Sequence, residues 1–286
     1  METQQPIPLG YVELEDGAKP IYPMNDIFLN YTFENPENWE ILRLTGNLVI
    51  EGYQSQNPET SQEQIQGKIK VRTQYQHFRS KDTRKSKDQD FKLVEEDENA
   101  TYFEFQNDKR SNPPIPERSV KYFGFGISSK NNKIANQIWL LAEDVESVLN
   151  SKSLSRYVLK DEETGKNHPA ISGILYVSLK KVAQEETPLG ELAKFLLGNL
   201  NKPTNEKVAK IAKSFSSSFN EFKEDKEAVE MLTLFDRGKE EGIGIGKEEG
   251  IRIGVENGLE KLVEFLEKGF SLDEARDLAK NALKNN

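Results

Sequence analysis

Two short segments of this chain carry acidic and amide side chains at strand spacing among apolar ones. Asp90-Phe91-Lys92-Leu93-Val94 precedes the acidic turn Glu96-Asp97-Glu98-Asn99, and Thr101-Tyr102-Phe103-Glu104-Phe105-Gln106 follows it. Alternation along a strand sends Phe103 and Phe105 to one face and Tyr102, Glu104 and Gln106 to the other. On the first strand Phe91 and Leu93 alternate in the same way with Asp90 and Lys92. The hairpin register that buries Phe91, Leu93, Phe103 and Phe105 together puts Asp90 and Lys92 on the face of Glu104 and Gln106, and a one-residue slip would undo it. Carboxylates directly opposed on such a face have Cβ atoms ~5 Å apart and can share one divalent ion, which also relieves their repulsion. A solvated strand face has the same alternation, and spacing alone favours that plainer reading.

Composition narrows the chemistry further. Cysteine is absent, and His77 and His168 are the two histidines. Disulfides, thiolate zinc sites, iron–sulfur clusters, a cysteine nucleophile and zinc centres built on several imidazoles are thereby excluded. A Ser–His–Asp triad would need one of these two. His77 reads as structural on an alternating strand, and His168, before Pro169, as part of a turn. Any metal must then be held by carboxylates, which suits Mg²⁺ or Mn²⁺.

With 39 Lys+Arg against 48 Asp+Glu the net charge is −9, so binding of nucleic acid needs a local basic patch. Arg79, Lys81, Arg84, Lys85, Lys87 and Lys92 form the one basic stretch, beside a strand face with Lys68, Lys70 and Arg72. Asp82 and Asp88 dilute it, and a solvated loop fits it equally well. The longest strongly apolar run, 138–142, is far short of the ~20 residues of a membrane-spanning helix. Residues 1–10 lack a basic segment leading into an apolar one, so the expectation is a cytoplasmic protein without membrane association.

Several elements must position these residues. Residues 1–23, polar and carrying Pro6, Pro8, Pro20 and Pro23, read as an extended N-terminal arm. Phe28, Leu29, Phe33, Trp39, Ile41, Leu42 and Leu44 fall at helical spacing, with Pro36 opening a second helix and Gly46 interrupting it. The stretch 58–66 reads as a surface loop or short helix, and 68–77 alternates as a strand with one solvated face. Beyond Pro113, Pro114 and Pro116 a helix begins near Glu117, and strand-like runs recur at 137–141 and 171–179. From Leu189 the chain reads as helical, over 189–200, 206–222 and 226–236.

The tail has a period of its own. Gly238, Gly242, Gly246, Gly250, Gly254 and Gly258 recur every four residues, which on a helix makes a slowly winding stripe. Each glycine costs ~1 kcal/mol of helix propensity relative to alanine, so packing against another helix is the natural compensation and a homo-oligomer through this helix is expected. A second helix follows Gly269, with Ser271 and Glu274 forming a capping box. The run Gly242-Ile243-Gly244-Ile245-Gly246-Lys247 is no phosphate loop: Glu248 stands where Ser or Thr would hold Mg²⁺, Lys247 where a dinucleotide motif needs glycine, and no strand precedes it.

Taken in order, these residues resemble the recombination-promoting nuclease and transposase family of bacteria, within the PD-(D/E)XK nuclease superfamily. The shared pattern is an Asp on one strand (Asp90), Glu-x-Gln on the next (Glu104-Phe105-Gln106) and Arg-x-x-x-Tyr on a following helix (Arg118 to Tyr122). The family's N-terminal block is echoed by Asp26, Phe33 and Pro36-Glu37-Asn38, with Asn30 where the family has Lys, and its Gly-Lys/Arg-Glu-Glu tail by 238–258. Gln89 stands where the superfamily has Pro, and Gln106 where the wider superfamily uses Lys.

The resemblance implies an α/β fold: a restriction-endonuclease-like core with a mixed central sheet flanked by helices, plus a C-terminal helical extension. The corresponding divisions are 1–23 for the arm, 24–185 for the nuclease-like domain, 186–236 for a helical region and 237–286 for the glycine-periodic tail. The implied activity is Mg²⁺- or Mn²⁺-dependent endonucleolytic hydrolysis of DNA. Asp90 and Glu104 would hold the metal, Gln106 would position the attacking water, and Arg118 and Tyr122 would contact backbone phosphate or support the site. Arg84, Lys85, Lys87 and Lys92 would bind nucleic acid, and Glu37 is a candidate for a further acidic ligand. The alternative is a catalytically inactive relative that acts as a binding or oligomerisation module. For Arg118 and Tyr122 the plainer readings are a surface ion pair and a core aromatic.

Overall fold

The computed structural model describes residues 6–14, 17–59, 91–94, 99–108, 113–128, 133–166 and 173–284. The strand expected over 68–77, the basic stretch with Arg84, Lys85 and Lys87, both histidines, and Asp90 all lie outside the described residues. The chain divides into two compact units, Met1–Val229 and Glu230–Asn286.

The first unit opens with an antiparallel hairpin, β1 (Gly10–Leu14) and β2 (Gly17–Ile21), with Val12 opposite Lys19. The segment read as an extended arm therefore folds back on itself. Val12 and Ile21 are buried, and Gly10 lies so close to the Phe219 ring that a Cβ there would strike it. Pro20 fits within β2 because each strand of a two-stranded ribbon has a free hydrogen-bonding edge.

Helix α1 (Asp26–Glu34) is capped by Asn25, whose Oδ1 accepts the Phe28 amide at 3.0 Å. Pro36 opens only a 3₁₀ turn, Pro36–Asn38, before α2 (Trp39–Gln56). Helix α2 runs through Gly46 without a break. Burial of Ile41, Leu42, Leu48, Val49 and Ile50, at roughly 1.5–3 kcal/mol per large aliphatic side chain, outweighs the ~1 kcal/mol cost of one glycine.

A five-stranded mixed sheet forms the centre, in the order β3-β4-β5-β7-β6: β3 (Phe91–Val94), β4 (Asn99–Gln106), β5 (Lys133–Leu141), β6 (Leu154–Tyr157) and β7 (Ile174–Ser178). Strand β3 pairs antiparallel with β4, placing Phe91 opposite Phe103 and Leu93 opposite Thr101. This is the expected register: Phe91, Leu93, Phe103 and Phe105 are all buried. Strands β4, β5 and β7 are parallel, and β6 closes the far edge antiparallel to β7. Between β4 and β5 runs α3 (Ile115–Ser128), and α4 (Glu146–Leu149) precedes β6.

The sheet separates two cores. On one side Phe33 of α1 meets Phe91, Phe105 and Phe215, with ring centroids 4.7, 5.8 and 6.0 Å away. Phe215, Phe219 and Phe222 of α7 (Glu206–Phe222) surround Phe28 edge-on. Two helices, α5 (Leu179–Val182) and α6 (Pro188–Leu196), link β7 to α7, and the first unit runs on to Val229, within the stretch 186–236 expected as a helical region. On the other side Trp139, Leu141, Ile174 and Tyr176 of the sheet cluster with Ile115 and Tyr122 of α3 and with Val148 and Leu149.

Helix α8 (Lys226–Glu267), most of it in the second unit, joins the helix expected over 226–236 to the glycine-periodic helix without a break, and α9 (Leu272–Lys284) follows. Gly269, at φ +88°, ends α8, with its amide on Leu266 O and the Phe270 amide on Phe265 O. The capping box forms as expected, with the Ser271 amide 2.9 Å from Glu274 Oε2. An added Cβ at Gly238, Gly242, Gly246, Gly250 or Gly254 meets no atom within 4 Å. Among the described residues of this unit, only Leu232, Ala275 and Ala279 are buried. No helix of the described residues is long and apolar enough to cross a membrane.

Candidate active site

Parity on β4 sends Tyr102, Glu104 and Gln106 to the face opposite Phe103 and Phe105. In the β4–β5 register Glu104 pairs with Trp139 and Gln106 with Leu141, so these side chains stand in the layer beneath α3. Pro116 sits in the first turn of that helix, where its missing N–H costs nothing. Arg118 and Tyr122, one turn apart, share the face turned to the sheet.

The four side chains that the sequence singled out on β4 and α3 form one network. The guanidinium of Arg118 donates from Nη2 to Glu104 Oε2 at 3.1 Å, from Nη1 to Gln106 Oε1 at 2.7 Å and from Nε to the Tyr122 hydroxyl at 2.9 Å. Its carbon lies 5.2 Å from the centroid of the Tyr122 ring and 5.5 Å from that of Trp139, and those rings stack on each other at 6.0 Å. Glu104 is almost completely buried, its side chain 1% exposed, against 22% for Arg118. A charge so removed from water persists only with a partner. Gln106 is held at both ends of its amide, since Nε2 also donates to Asp108 O at 2.6 Å. Arg118 is thus no surface ion pair, whereas Tyr122 is the core aromatic of the plainer reading as well as a partner of Arg118.

The remaining candidates fall elsewhere. Glu37, in the 3₁₀ turn, is exposed and makes no hydrogen bond or ion pair to Glu104, Gln106 or Arg118 among the described residues. Lys92 lies on β3 opposite Tyr102. Asp90, Arg84, Lys85 and Lys87 are outside the described residues. Among the described residues no group of three or more acidic or imidazole side chains could hold a metal ion. Glu104 and Gln106 offer hard oxygen donors of the kind Mg²⁺ accepts, but a further carboxylate is needed to complete a site.

Four residues around this network were not singled out from the sequence. Trp139 belongs to the apolar run 138–142, which marks a strand; only its parity with Leu141 hints that it faces α3. Asn107, just after Glu104-x-Gln106, donates to Met24 O and, at 2.8 Å, to Asp26 Oδ1, tying the start of α1 to the end of β4. Deeper under α3, Ser119 Oγ and the Tyr176 hydroxyl share a buried hydrogen bond. Burial pushes the Tyr176 phenol up to about 12; the Ser119 bond opposes the shift and Tyr157 adds to it.

No family profile matches the chain, and neither does any curated protein or solved structure.

Proposed function

We propose that the chain is a metal-dependent endonuclease that hydrolyses DNA phosphodiesters, of the transposase-like, recombination-promoting type with a restriction-endonuclease-like core. The observation that carries this reading is the convergence of Glu104, Gln106, Arg118 and Tyr122 in one network. These four residues come from two separate motifs, and a solvated strand face gives no reason for them to meet. The antiparallel register offers further support. Phe91 stands opposite Phe103, the register expected from the alternation that gives Asp90 and Glu104 one strand face, with Asp90 itself outside the described residues. These two carboxylates are the proposed ligands of Mg²⁺ or Mn²⁺.

When bound, such an ion would acidify a water and neutralise charge developing at the phosphorus. Glu104 contributes a buried carboxylate of fixed direction, and Gln106 an amide whose remaining N–H can hold the attacking water. The basic residues Arg84, Lys85, Lys87 and Lys92 are proposed to receive the DNA backbone.

Nicking of supercoiled plasmid with Mg²⁺, compared with chelator, tests the proposal. Glu104→Gln and Asp90→Asn should each lower the rate by on the order of 10²-fold or more, as expected when a group that orients transition-state charge is removed. Undiminished nicking in both variants would sink the assignment.

A second reading is favoured by the ion pair that Glu104 already makes with Arg118 and by the apolar residues left exposed along α8, among them Ile243, Ile245, Ile251 and Val255. It is a catalytically silent protein that binds another copy of itself through α8. Calorimetry showing no Mn²⁺ uptake, together with sedimentation showing a dimer, would favour this reading over the nuclease.

A further inference from the structure

The guanidinium of Arg118 uses each of its three nitrogens on a different side chain: Nε on Tyr122, Nη1 on Gln106 and Nη2 on Glu104. Two aromatic rings, Tyr122 and Trp139, flank it at 5.2 and 5.5 Å. A planar fork engaged at every nitrogen and stacked on rings is fixed in position as well as in charge. Gln106 matches it, because its Oε1 faces the guanidinium while its Nε2 is turned to Asp108 O. We propose that Arg118 is the resident cation of this site, a positioning residue that holds Glu104 and Gln106 in one orientation, and that its charge requires a neutral side chain at position 106. A lysine there would bring a second positive charge within hydrogen-bonding range of the guanidinium, in a place partly withdrawn from water. It would also remove the oxygen that receives Nη1. The role differs from that of a phosphate contact, which would leave the guanidinium turned toward DNA.

The inference rests on the nuclease reading for its kinetic consequence but not for its structural one, and the experiment separates the two. Thermal unfolding of the full-length chain without metal compares wild type, Gln106→Lys, Arg118→Met and the double variant. Each single change is expected to lower the melting temperature. The double variant should melt above Gln106→Lys, because the introduced ammonium then meets Glu104 without the Arg118 guanidinium beside it. Losses that simply add would overturn the proposal, since non-interacting sites are additive.

In the nicking assay Arg118→Lys keeps the charge and loses the fork. It should lower kcat by about tenfold while KM for DNA stays within about twofold, the pattern of a group that orients the reacting residues. A raised KM with unchanged kcat and a salt dependence shallower by about one ion would mark a phosphate contact instead and overturn the positioning role. Wild type that nicks no DNA would end the nuclease reading, while the unfolding comparison would still decide whether Arg118 and position 106 are coupled.

Discussion

Removing the guanidinium of Arg118 takes an ion-pair partner from a carboxylate that water hardly reaches. Breaking a buried ion pair from one side costs ~3–5 kcal/mol. Because Arg118 is itself 22% exposed, Arg118→Met should fall near the lower end of that range in urea unfolding. Glu104→Gln should cost less, since it removes the charge and keeps an oxygen for Nη2. A loss below about 0.5 kcal/mol for Arg118→Met would mean that the pair behaves like a surface contact. Tyr176 gives a pH-dependent counterpart. Its phenol is raised to about 12 from an ordinary 10.0, so the folded state favours the protonated form. The stability this contributes is fully present below pH 10 and is lost as the pH rises from 10 towards 12. Ultraviolet difference titration should show Tyr176 ionising late, together with a fall in stability over that interval, and Tyr176→Phe should lessen both.

Glycines separate the elements that have neighbours from those that have none. In α6, a Cβ at Gly190 would run into the backbone carbonyl oxygens of Glu185 and Val182, which cannot rotate away. Gly190→Ala should therefore destabilise by about 1–3 kcal/mol, the usual cost of overpacking. In α8, a Cβ at Gly254 meets nothing within 4 Å, and Gly254→Ala should stabilise the helix by ~1 kcal/mol. Chemical denaturation of the two variants, read by circular dichroism, should give opposite signs. The same contrast explains how much of the architecture could be read from sequence. The hairpin register was legible because Phe91, Leu93, Phe103 and Phe105 can be buried together in one way, and α7 because Val208, Ile211, Phe215, Phe219 and Phe222 mark a helical face. Gly46 and Pro36 misled because local propensity is weak beside burial. The four-residue β6 and the one-turn α4 carry too few residues to show a period. At the site, Glu104, Gln106, Arg118 and Tyr122 were each visible as residues. That Arg118 turns inward could not be read, because it depends on Trp139 and Tyr122 stacking above β5, a contact between segments distant in sequence.

At the scale of the molecule the two units differ in how much they bury. In Met1–Val229 two aromatic-rich layers enclose a sheet, whereas α8 and α9 bury few side chains among the described residues. Local stability follows burial. Hydrogen exchange should therefore find the amides of β4, β5 and β7 the most protected and those of α8 between 238 and 258 among the fastest. Protection in α8 that rises with protein concentration would indicate a second copy covering it, and slow exchange there at high dilution would contradict the account of an uncovered helix. The aromatic layer on α1 has one more consequence, which concerns the order of events during synthesis. Phe28 and Phe33 are made early, Phe91 and Phe105 later, and the rings that close over Phe28 last of all, on α7. Until α7 emerges from the ribosome the nascent chain presents an open apolar surface. Once it does, the layer can close while residues of the second unit are still being added at ~5–20 residues per second and the chain is still tethered and kept apart from its neighbours.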